Sequence, residues 1–86
     1  MPELCRFYGI VIRMYFSDHG PAHFHALYGE QEALVEIDSL TVLQGRLSPR
    51  AKSLVLEWAS LHQTELRAAW KRASRLEAPG KIAPLE

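Results

Sequence analysis

Little in this chain is extreme, and each scarcity removes a class of protein. One cysteine, Cys5, among 86 residues cannot close an internal disulfide, so there is no disulfide framework and a reducing compartment suits the chain. Its ten basic residues equal its ten acidic ones, which leaves no overall field to recruit nucleic acid, membrane or acidic substrate. No stretch approaches the roughly 20 consecutive apolar residues that a membrane helix requires. Acidic Glu3 stands where a signal peptide would carry its basic region, and the apolar residues beyond it are broken by Arg13. A soluble, cytoplasmic protein is the expectation. There is no glycine-rich phosphate cradle, serine nucleophile elbow, HExxH or CxxC, which removes the readily recognised enzyme classes.

What is present is one small domain over residues 1–86. A chain of this size buries only roughly 60 to 65% of its unfolded surface, so a partner, whether a second copy or another protein, would add stability. Charge is uneven locally. Residues 30–38 hold Glu30, Glu32, Glu36 and Asp38 with no base, whereas Arg67, Lys71, Arg72, Arg75 and Lys81 follow later with the single acid Glu77. These segments read as solvated faces of opposite sign, or as a docking patch for an acidic partner or an RNA backbone.

Hydrophobic period divides the chain into a strand half and a helix half. Across residues 7–16, β-branched and aromatic residues dominate, with Ile10, Ile12, Met14 and Phe16 on one face and Val11, Arg13 and Tyr15 on the other. This predicts one long first strand. Residues 18–22 contain Gly-Pro and read as a loop. A second strand at residues 23–28 precedes Gly29-Glu30, a two-residue hairpin turn that would set Tyr28 opposite Gln31, Ala26 opposite Ala33, Phe24 opposite Val35 and His23 opposite Glu36. A third strand at residues 32–37 and a short fourth at residues 40–44 complete an antiparallel meander of three to four strands.

Ser48 as N-cap and Pro49 at the first helical position announce a helix. Apolar spacings of three and four through Ala51, Leu54, Val55, Trp58, Leu61, His62, Leu66, Ala69 and Ala73 extend it as one long amphipathic helix to about residue 75. Ala78-Pro79-Gly80 stops it, and Ile82 and Leu85 could anchor an extended C-terminal tail on the sheet edge. The expected fold is therefore α+β: a meander with one long helix on one sheet face. Cys5, Trp58 and Trp70 read first as packing residues and His62 as a core histidine.

Three of the four histidines fall between residues 19 and 25, so that run is where proton transfer or metal binding would sit. Strand alternation puts His23 and His25 on the face opposite Phe24, Ala26 and Tyr28. Pairing then gathers Arg13, Tyr15, His23, His25 and Glu36 into one outward patch. Its residue types suit a histidine-dependent ribonuclease or phosphodiesterase, with His23 or His25 as acid or base, Glu36 orienting an imidazole and Arg13 holding phosphate. They equally suit a divalent metal on His19, His23 and His25, with Asp18 or Glu36 nearby. The same histidines also suit a half-buried sheet face that holds a loop or meets a partner.

Over nearly its whole length the chain resembles the small bacterial family known as domain of unknown function 4160. The likeness rests on the D-H-x-P-x-H-F-H-A-x-Y-G block at residues 18–29 and on L-E-W-A-x-L-H at residues 56–62. Where the family commonly carries two prolines before H-F-H, this chain has Pro21-Ala22. The resemblance implies no established activity. It implies a gene neighbour resembling domain of unknown function 2442, in a two-gene layout similar to toxin–antitoxin modules. The favoured expectation is a binding or regulatory module acting through protein–protein contact, with the ribonuclease-like enzyme as the alternative.

Overall fold

A computed structural model describes residues 2–16 and 19–86. Among them are five strands in the order β1 (Glu3–Phe7), β2 (Ile10–Arg13), β3 (His23–Tyr28), β4 (Gln31–Glu36) and β5 (Val42–Gly45), each antiparallel to its neighbour. Two helices follow, α1 (Pro49–Leu61) and α2 (Gln63–Ser74). The class is α+β as expected. Two details differ from the expectation, and each has a physical cause.

The single first strand is two. Phe7 pairs with Ile10 across a Tyr8-Gly9 turn in which both residues have positive φ, 50° and 81°, the pattern of a type I′ hairpin. Tyrosine is a strand former, so its presence in place of asparagine or aspartate hides the turn from the residue pattern. β1 overlaps the predicted strand only at Phe7, and Phe16, assigned to the core, is 43% exposed beyond the end of β2. The β3–β4 hairpin keeps all four predicted pairs. At β5, Gly45 has φ 79°, and a Cβ there would lie 2.1 Å from the Glu32 carbonyl oxygen, so only glycine lets β5 approach β4.

The single long helix is also two. Ser48 caps α1 by accepting from the Ala51 N–H at 3.3 Å, with Pro49 in the first turn. His62, at φ −129° and ψ 24°, then ends α1 and opens α2. Beyond this break, Gln63 Nε2 donates to the carbonyls of Ile37 and Asp38, and Arg67 Nε reaches Asp38 Oδ1 at 2.7 Å, fastening α2 to the end of β4. Leu61, placed on the apolar stripe by its spacing, is 66% exposed instead.

The core lies between one sheet face and α1. Phe7, Ile10, Ile12, Phe24, Ala26, Ala33 and Val35 bury there with Val55, Trp58 and Ala59. Trp58 is the centre, its ring 5.6 Å from Phe7 and 5.7 Å from Phe24. The tail crosses the outer edge of β1: Ile82 N–H donates to the Leu4 carbonyl, and the Trp58 indole donates to the Ala83 carbonyl at 2.8 Å. No helix is long and apolar enough to cross a membrane among the described residues.

Candidate functional site

His23 opens β3, and His25 follows two residues later on the same face. Arg13 stands opposite His25 across β2–β3, while Glu36 stands opposite His23 across β3–β4. The His23–Glu36 pair is the one predicted from the residue pattern, which placed Arg13 on the histidine face without fixing its partner. The side chains complete it differently.

His25 Nδ1 lies 2.9 Å from Glu32 Oε2, not beside Glu36. Leu34 is the direct cross-strand partner of His25, which makes Glu32 its diagonal neighbour on the same face. Glu36 instead accepts from the Ser39 hydroxyl at 2.6 Å, which stabilises the turn into β5. His23 Nδ1 lies 2.9 Å from the Pro21 carbonyl oxygen. Because a carbonyl oxygen only accepts, His23 carries its proton on Nδ1, and the ionised Glu32 carboxylate asks the same of His25. In their neutral forms both rings then keep the lone pair on Nε2.

The histidine face is covered rather than open. Tyr15 packs against His25 at 4.1 Å with the rings tilted, His23 lies 5.3 Å from His25, and Trp70 of α2 reaches His23 at 5.1 Å, all between ring centroids. His23 and His25 are consequently only 4% and 7% exposed. His19 is exposed and, like the other two, has an interaction partner. Asp18, suggested as a loop ligand, lies outside the described residues. Among the described residues, no group of three or more His, Cys, Asp or Glu side chains is placed to hold a metal ion.

Of the five residues grouped by the sequence, Tyr15, His23 and His25 are in contact, Arg13 adjoins them by register, and Glu36 turns away. Glu32 and Trp70 join them. The diagonal rule for antiparallel pairs could have found Glu32. Nothing local marks Trp70, because its approach depends on the path of α2. Chemically, Glu32 can orient the His25 imidazole. The packed rings can also fasten the β2–β3 connection and α2 to the sheet.

The fold and site together define a small antiparallel α+β protein whose histidines lie under a cover of aromatic rings. The chain belongs to the family described as Domain of unknown function (DUF4160), whose model matches residues 9–71. That segment runs from the Tyr8-Gly9 turn into α2 and includes every histidine. Neither a curated protein nor a solved structure matches the chain.

Proposed function

We propose that this chain is a small cytoplasmic binding or regulatory module, one half of a two-gene toxin–antitoxin-like pair that acts by protein–protein contact. The observation that carries the reading is the burial of His23 and His25, at 4% and 7% exposure, with Nδ1 of each engaged. Imidazoles in that state secure a fold, whereas a substrate's phosphate would have to displace Tyr15 or Trp70 to reach them. The partner expected is the small neighbouring protein resembling domain of unknown function 2442. Co-expression with that protein should yield a complex that co-elutes on size exclusion. Absence of a complex with it in solution would remove the reading.

One observation favours the alternative, a ribonuclease or phosphodiesterase-like enzyme working with or without a divalent metal. Glu32 is positioned on His25 as an orienting carboxylate is positioned on a general base. His23→Gln and His25→Gln decide between the two. In the binding reading, any growth effect of expression tracks folding and complex formation. Loss of the effect with folding and complex both intact would transfer the function to the histidines.

A further inference from the structure

Helix α2 ends by folding back on itself. The N–H groups of Leu76 and Glu77 donate to the carbonyls of Ala73 and Arg72 at 3.0 and 2.9 Å, the pair of bonds that defines a Schellman motif. The motif holds Leu76 at φ 63°, a left-handed conformation that glycine adopts freely and that crowds a Cβ. Burial does not compensate for this. Leu76 is 70% exposed, the most exposed large hydrophobic residue among those described. For the isolated chain, leucine is thus unfavourable here twice, in its backbone and in its solvation.

Cations adjoin it. Arg67, Lys71 and Arg75 recur at every fourth position, which sets them along one ridge with about 6 Å of helix rise between neighbours. Arg67 is paired with Asp38, but among the described residues no acid pairs with Lys71 or Arg75, both of which are exposed. Like charges at this spacing oppose the helix. Their position near the helix C-terminus offsets part of that repulsion, and contributes nothing toward Leu76.

We infer that Lys71, Arg75 and Leu76 form a docking surface for an acidic helical segment of a partner protein, an inference that rests on the protein-binding reading above. Carboxylates at helical spacing match the two cations, and an apolar side chain beside them would cover Leu76. A phosphate backbone would satisfy the cations and leave Leu76 in water. The ridge also lacks a ring on which a base could stack, since Trp70 is turned onto His23.

The test is fluorescence anisotropy with a labelled synthetic helical peptide carrying glutamate at every fourth position and a flanking leucine. A labelled uridine oligonucleotide serves as comparison, and sedimentation reports self-association. The peptide should bind, and Lys71→Glu with Arg75→Glu should weaken it about tenfold or more at low salt. Leu76→Gly should also weaken binding while raising the thermal midpoint by a few degrees. That opposite movement is not expected of a leucine with a purely structural role. Equal binding by wild type and variants, no peptide binding, binding of the oligonucleotide instead, or a self-association dispersed by these substitutions would each overturn the inference. If the neighbouring protein is captured equally by wild type and variants, the docking surface falls and the protein-binding reading stands.

Discussion

Cys5 shows how far burial alone can alter one residue. Its thiol is pushed up to about 12, first by desolvation and then by the nearby Glu3 charge, with Lys81 opposing. A thiol held protonated in the fold contributes stability that is complete below its unfolded value near 9 and is lost as pH rises from there toward 12. Cys5→Ala should therefore flatten the alkaline decline of stability in urea titrations across that window, and the native thiol should react with iodoacetamide far more slowly at neutral pH than the unfolded one. As a lone cysteine with no disulfide partner, Cys5 reads in the sequence as a packing residue, and it is buried. The partner of His25 was legible only in part. Cross-strand register correctly set Glu36 opposite His23, yet register says where Cα atoms stand and not which acceptor a carboxylate finds. Ser39 lies within reach of Glu36, so Glu32 is the acid on His25.

Among the elements, the β3–β4 hairpin was readable because Gly29 marks its turn and the apolar pairs fall together on either side. The β1–β2 hairpin was not, since Tyr8 occupies a left-handed position where asparagine or glycine is the usual signal. Relief of that conformation is measurable: Tyr8→Asn should stabilise the chain by about 1 kcal/mol in chemical denaturation. Tyr8 is 56% exposed, so little burial is lost in exchange. The break at His62 was illegible for a different reason. The sequence of spacings through Trp58, His62, Leu66, Ala69 and Ala73 is unbroken, so a straight helix and a broken one present the same apolar stripe. At that turn, tertiary bonds from Gln63 and Arg67 hold α2 to Ile37 and Asp38 just after β4, and no local pattern announces them.

For the molecule as a whole, the short tail carries more than its length suggests. Removing residues 81–86 would uncover the space filled by Ile82, which is 5% exposed, and would leave the buried Trp58 indole without the Ala83 carbonyl. Loss of the isoleucine burial and of that bond amounts to roughly 3 to 5 kcal/mol. A chain of this length is expected to have only about 4 to 13 kcal/mol in total. The truncated chain should accordingly show a much lower midpoint in thermal unfolding followed by circular dichroism. The tail also makes the two sides of the sheet unequal. Among the described residues, the tail meets one edge strand, β1, through the Ile82 N–H, whereas β5 at the other edge pairs only with β4. Strand addition between identical copies would then be easiest as β5 against β5, a two-fold contact that uses the same edge of both copies. Removing the tail would bare the β1 edge as well, and two open edges on one molecule are what head-to-tail strand addition requires.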